Sequence, residues 1–237
     1  MIRGIETLQK SINILQKKQE NLSANVANVN TYGYKAQQLN QRTQAEQGLH
    51  NYAGGPGLDQ RTDLGGITFG TELDRSSRNF AQGSLKATNQ VTDFAIQGDG
   101  FFTLQLGNGQ RGYTRNGNFT FNQANQLVTQ EGNLVLNRNG QPIEQGAAVT
   151  NPNLLITRFA DNQTLATRGE GIFTSPDAGQ VDFQSNVQRN YLETSNVEMA
   201  DEMVNLLKTA REFETNQKVL ASTDETLRRA TNELGKV

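Results

Sequence analysis

The sequence predicts an α+β protein in which N- and C-terminal helices pair as a coiled coil around an inserted antiparallel β domain of short hairpins. Three observations predict it. Ile5, Leu8, Ile12, Leu15, Gln19, Leu22, Val26 and Val29 recur three and four residues apart, which is the spacing of one narrow helical face. At the other end Met199, Met203, Leu206, Ala210, Phe213, Gln217, Leu220, Asp224, Leu227, Thr231 and Leu234 recur in the same way. Between them the apolar period falls to two, and Asn-Gly pairs stand at 108–109, 116–117 and 139–140. Asn-Gly is the pair that two-residue hairpin turns favour.

The first helix is predicted over residues 2 to about 30. A second stripe, Asn21, Asn25 and Asn28, runs beside its seam. Asn is a poor interior helix residue, so the stripe predicts side-chain hydrogen bonds to a neighbouring helix. Asn30-Thr31-Tyr32-Gly33 ends the helix, with Gly33 able to take a positive φ. Residues 35–72 are rich in Gln, Asn and Gly and poor in apolar side chains. They predict an extended arm or linker without a core of its own. His50, the single histidine, falls here, and a lone His in a polar loop reads as a surface residue.

Residues 73–190 are predicted as the β domain. Phe94 and Ile96 alternate with small or polar residues, Gly98-Asp99-Gly100 makes a turn, and Phe101 and Phe102 start the next strand as core. The chain then returns to helix. Ser195 followed by Glu198 forms a capping box, and no Pro or Gly interrupts the run until Gly235. Residues 1–34 and 191–237 therefore form one terminal-helix domain. Gln19, Gln217, Asp224 and Thr231 are polar positions on the two seams, which weaken pairing and restrict its register.

Composition narrows the function. Only 34% of the 237 residues are hydrophobic and the mean hydropathy is -0.65, so one large core is not expected. A net charge of -2 gives no footprint for nucleic acid. About a fifth of the chain is Asn or Gln, which suits close packing between copies. There is no cysteine, which excludes disulfides and thiolate chemistry. No run approaches the ~20 apolar residues of a membrane span, so no membrane insertion is expected. The N-terminus, with Glu6 and frequent polar residues, is not a cleavable signal peptide.

Catalytic patterns are weak. Gly98-x-Gly100 lacks the third glycine and the following helix of a dinucleotide site. Asp93 and Asp99 are the only carboxylate pair worth weighing for glycoside hydrolysis. Phe101 and Phe102 lack the basic surroundings of a nucleic-acid platform. No catalytic, metal or cofactor-binding residue is assigned, and no cofactor is expected.

Several motifs resemble those of bacterial flagellar rod and hook proteins. Asn21–Ala36, N-L-S-A-N-V-A-N-V-N-T-Y-G-Y-K-A, is similar to an N-terminal signature A-N-N-x-A-N-x-x-T-x-G-[FY]-[KR], with Ser23-Ala24 as a departure. The resemblance marks Asn30, Thr31, Gly33, Tyr34 and Lys35. D-F-A-I-Q-G-D-G-F-F resembles the central motif and marks Gly98, Gly100, Phe101 and Phe102; Y-T-R-N-G-N-F, Tyr113–Phe119, continues it. Y-L-E-T-S-N-V, Tyr191–Val197, resembles the C-terminal signature and marks Glu193, Ser195, Asn196 and Val197. The span 139–154 departs by being short.

The resemblance implies a structural subunit of the basal-body rod, of the distal type or its proximal-side relative. Such subunits polymerise head-to-tail into a hollow helical drive shaft around an export channel. Its partners are copies of itself, neighbouring rod and hook subunits, the flagellar type III export apparatus and ring proteins around the rod. Its place is the basal body, reached without a cleaved signal peptide. Ile5, Leu8, Ile12, Leu15, Leu22, Asn25, Val26, Asn28 and Val29 on one helix are the expected assembly interface. They are joined by Met199, Met203, Leu206, Ala210, Phe213, Leu220, Leu227 and Leu234 on the other. The rival readings are a secreted β-domain ligand-binding or adhesion module with a helical clasp, and an enzyme built on Asp93 or Asp99.

Overall fold

The structure is a computed structural model, and it describes residues 2–52, 61–68, 70–146, 153–169 and 171–234. Helix α1 spans Ile2–Ala27. Helix α2 spans Met199–Leu234, 36 residues, or about 54 Å at 1.5 Å per residue. Antiparallel strands fill the sequence between them. The chain divides into two compact units, one of residues 1–24, 38–77 and 200–237 and the other of residues 25–37 and 78–199.

The first unit holds most of both helices and a β ribbon. Strands β1 (Gln37–Thr43) and β4 (Thr71–Arg78) pair, and β2 (Gln47–Tyr52) pairs with β3 (Arg61–Ile67) inside that loop. The segment read as an arm therefore contains strands. No described side chain of these four strands is buried, because a two-stranded ribbon has no second layer to cover it. His50 stands opposite Asp63 across β2 and β3, with Nδ1 2.8 Å from the carboxylate. Arg42 of β1 reaches Glu72 at 2.7 Å and Asp74 at 3.4 Å on β4.

The second unit is organised on strand β7 (Phe101–Gln105). Strand β8 (Arg111–Thr114) covers one edge of β7. The other edge is shared by β12 (Ile156–Arg158), opposite Phe101 and Phe102, and β11 (Leu134–Val135), opposite Leu104 and Gln105. Beyond β11 lie β10 (Leu127–Val128) and β9 (Thr120–Phe121). Beyond β8 lie β14 (Ile172–Thr174) and β13 (Ala166–Gly169), and β15 (Gln180–Val181) pairs with β12. Two small pairs stand apart: β6 (Phe94–Gln97) with β16 (Asn186–Arg189), and β5 (Leu85–Ala87) with β17 (Tyr191–Glu193).

Alternation along β7 builds two cores. Phe102 and Leu104 join Phe94, Ile96, Phe119, Leu127, Val135 and Ile156 in the larger. Phe101 joins Tyr113, Phe159, Leu165 and Phe173 in the other. Phe101 and Phe173 meet edge-on at 5.8 Å, and Tyr113 and Phe159 at 4.8 Å, the geometry that aromatic quadrupoles favour.

Three local expectations change and one stays partly outside the described residues. Helix α1 stops at Ala27 rather than near residue 30, and Asn28–Gly33 are turns. The Ser195 capping box is not made. Ser195 Oγ accepts from the Val197 amide at 3.2 Å, α2 begins four residues later, and Asp201 and Glu202 supply the acidic first turn. Asn108-Gly109 and Asn139-Gly140 do turn the chain, with φ of 79° and 76° at the glycines. Asn116-Gly117 does not. Gly117 lies against the Phe94 backbone, where a Cβ would come to 1.6 Å of the carbonyl oxygen. Finally, part of the short 139–154 span, residues 147–152, lies outside the described residues.

Candidate assembly site

The residues singled out in the sequence gather in two places. One is the apolar stripe that each terminal helix carries, with Asn216 of α2 reaching Ser11 of α1 in the first unit. On α1, Leu15 and Leu22 are buried and Ile5, Leu8, Ile12 and Val26 are half-buried, while Asn28 and Val29, also half-buried, lie in the turn beyond Ala27. Ile14 is buried as well, although the seam spacing passes it over. On α2, Leu206, Ala210, Phe213, Leu220 and Leu227 are half-buried, while Met199 and Met203 are 39% and 48% exposed. The side chain of Leu234 lies outside the described residues.

The polar members of the α2 stripe are displaced by one residue. Gln217, Asp224 and Thr231 are exposed, whereas Thr209 is buried and Asn216, Thr223 and Ala230 are half-buried. Leu206, Thr209, Phe213, Asn216, Leu220, Thr223, Leu227 and Ala230 thus make a three-four repeat in which large apolar residues alternate with small or polar ones. Thr209 and Thr223 return their hydroxyls to the carbonyls four residues back, both at 2.8 Å, so neither leaves a polar group unpaired. Asn216 donates to Ser11 Oγ of α1 at 2.9 Å.

The second place is a buried ionic clasp within the other unit. The Glu193 carboxylate accepts from Lys35 Nζ at 2.5 Å, Arg115 NH1 at 3.2 Å and the Gly83 amide at 2.9 Å. The three side chains are 0–2% exposed. Lys35 Nζ also donates to the Ala81 carbonyl at 2.8 Å. The Arg115 guanidinium lies 5.1 Å over the Phe101 ring, a cation–π contact. Burial pushes the Lys35 ammonium below its ordinary range, and Glu193 opposes that shift. Burial lowers Arg115 too, yet a guanidinium stays charged at any ordinary pH.

Neighbouring motif residues complete the clasp. Gly33, with φ 69°, donates its amide to the Glu193 carbonyl at 2.8 Å. A Cβ there would come to 2.4 Å of the Asn116 amide nitrogen. Asn196 Oδ1 accepts from the Ala36 amide at 2.8 Å, and its Nδ2 donates to the Asn79 and Ala81 carbonyls at 2.7 and 3.0 Å. Asn25 is also drawn in. Its Oδ1 accepts from the Tyr34 hydroxyl and the Gln37 amide, both at 3.1 Å, and its Nδ2 donates to the Gln37 carbonyl at 2.9 Å. Those bonds run to the loop that follows α1, where a neighbouring helix was expected. Gly100 and Val197 are buried, Ser195 is half-buried, and Asn30, Thr31 and Gly98 are exposed.

Three family models match the chain: flagella basal body rod protein over residues 5–35, the D1 domain of the flagellar hook protein FlgE/F/G over 95–172, and the C-terminal part of flagellar basal body rod FlgEFG proteins over 188–233. The flagellar basal-body rod protein FlgG of Buchnera aphidicola subsp. Acyrthosiphon pisum is 30% identical, with 95% of each chain covered. The flagellar basal-body rod protein FlgF of Caulobacter vibrioides is 30% identical over 94% of each. The chain belongs to the flagellar basal-body rod family. The flagellar hook-basal body complex protein FlhO of Bacillus subtilis matches at 29% over all of both chains. This is a family of structural proteins of the flagellum rather than of enzymes.

The rod-family matches fall on the clasp in a telling way. Lys35 lies in the first matched segment, Arg115 in the second and Glu193 in the third. Arg115 is the member that sequence reasoning missed, although Y-T-R-N-G-N-F was on view. Lys35 and Glu193 already balance in charge, so the sequence carried no signal of a third partner. Among the rival readings, Asp99 is exposed and faces Arg158 at 3.5 Å, and the relatives match both helices as well as the β region between them. No helix among the described residues is long and apolar enough to cross a membrane.

Proposed function

We propose that this chain is a rod subunit whose α1 and α2 pair as a coiled coil and whose copies stack head-to-tail into a hollow helical shaft. The observation that carries the reading is the near-complete overlap with rod-protein relatives, from 94% to 99% of their length. The Asn216–Ser11 bond supports the pairing of the helices, because a polar contact on an apolar seam specifies register at some cost in stability. Heterologous contacts that do not close generate an open helix of subunits. Such a tube transmits torque and encloses the path of later exported subunits.

Copies of this chain and neighbouring rod and hook subunits are its partners. The flagellar type III apparatus exports it, and ring proteins surround it in the basal body. Isolated helices with a narrow seam are marginal in water, so the terminal helices order fully only on docking at the rod tip.

Electron microscopy of basal bodies from cells lacking this chain, together with a motility assay, tests the reading. Truncated rods without hook or filament are expected, and the length of the truncated rod assigns the position of the subunit along it. Intact flagella would overturn the proposal.

A further inference from the structure

We propose that residues 28–37 form a releasable strap across the second unit, and that Lys35 makes it releasable by adding one more buried cation than Glu193 balances. Lys35 and Arg115 share the single carboxylate of Glu193, and all three side chains are within 2% of full burial. Asp99 is the next carboxylate whose field reaches both cations. Its side chain is 68% exposed and it already faces Arg158, so water screens much of its effect. A surplus buried charge costs free energy. Opening the strap carries the Lys35 ammonium into water and leaves Arg115 and Glu193 as a balanced pair.

Hydrogen bonding agrees with that division. Removing Lys35 leaves no acceptor stranded. Ala81 O keeps the Asn196 amide at 3.0 Å. Glu193 keeps the Gly83 amide at 2.9 Å and Arg115 at 3.2 Å. Loss of Glu193 would strand two cations, whereas loss of Lys35 strands nothing. The strap's one buried apolar side chain is the small Ala36. Neither of the unit's two apolar clusters includes a residue of 25–37. Polar bonds hold it: Gly33 to the Glu193 carbonyl, Ala36 to Asn196 and Arg78 to the Lys35 carbonyl. The direction in which burial moves the Lys35 ammonium is that of a charge held against its preference.

The consequence is a two-tier unit. The β cores stay folded while the segment that follows α1 lets go. This inference stands on the buried cluster alone and does not depend on the rod reading.

Hydrogen exchange on the purified full-length chain tests it. The strap amides of Gly33 and Ala36 are compared with the core amides of Phe94, Thr103 and Leu155, all hydrogen-bonded within the unit. In the unaltered protein the strap is expected to exchange at least about tenfold faster, with weaker dependence on denaturant, as a local opening requires. In Lys35→Met the strap is expected to exchange several-fold more slowly, with core exchange unchanged. Strap and core exchanging together in the unaltered protein would overturn the proposal. So would strap exchange that is unchanged or faster in Lys35→Met. Core amides accelerated to the same extent in the variant would show Lys35 to be a structural prop, which also overturns it.

Discussion

Asn216 of α2 donates its side-chain amide to the Ser11 hydroxyl of α1 at 2.9 Å, across 205 positions of sequence. Ser11 lies one turn before Leu15 on α1, and Asn216 lies between Phe213 and Leu220 on the more buried stripe of α2. In the proposed coiled coil a polar pair there discriminates between registers, because sliding either helix by one heptad would bury an unpaired amide. Ser11→Ala and Asn216→Ala are each expected to lower stability by about 1 kcal/mol. The double variant should lose little more than either single one, since both remove the same bond. Urea dissociation of the assembled polymer followed by helical circular dichroism measures this, because the terminal helices of the free chain are marginal. Fully additive losses would mean that the residues act separately.

Glu193→Gln is expected to destabilise the second unit by about 3–5 kcal/mol, the usual cost of stranding buried charge. Lys35 and Arg115 would share an uncharged amide at 0–2% exposure. Tyrosine fluorescence during denaturant unfolding reads the loss, since Tyr113 lies buried in one of the unit's cores. Glu193→Gln unfolding at the same denaturant concentration as the unaltered protein would show that the cluster is not an ionic clasp.

The pH dependence follows from the sign of the Lys35 shift. Burial holds its folded value below the ordinary 10.5. Between the two values the unfolded chain binds a proton that the folded one lacks, so stability rises with pH through that window. Tyr113 acts oppositely: burial raises its phenol above 10.0, the unfolded chain loses that proton first, and stability falls as pH climbs past 10. The difference between the unaltered protein and Lys35→Met isolates the lysine. Thermal melts from pH 8 to 10.5 should show the unaltered protein gaining on the variant as pH rises. A constant difference between the two would remove Lys35 as the titrating group.

Gly33→Ala is expected to cost at least about 1–3 kcal/mol, the range for a side chain forced into the left-handed region. Its φ is 69°, and a Cβ there would press on the Asn116 amide from 2.4 Å. Gly132→Ala is the control: its φ is 84°, but nothing lies within 4 Å of its Cβ. Both variants carry the backbone strain, and only Gly33→Ala carries the collision. Thermal unfolding of the pair should rank Gly33→Ala as the less stable.

The sequence by itself determined that both ends are helical, that the middle is antiparallel, and which family the chain joins. Those features are written in local periods and short motifs, from Leu8, Leu15 and Leu22 to Asn108-Gly109. Periodicity identifies the face of a helix only to within about one residue, because 3.6 residues per turn does not fit a seven-residue repeat. That is why Gln217, Asp224 and Thr231 were placed on the seam that Asn216, Thr223 and Ala230 occupy. The tertiary structure alone decided what Lys35 and Glu193 are for. They stand 158 residues apart, and Arg115 joins them from a third segment. Only burial turns three ordinary charges into one cluster, because the low dielectric that makes an unpaired charge costly exists nowhere along the extended chain.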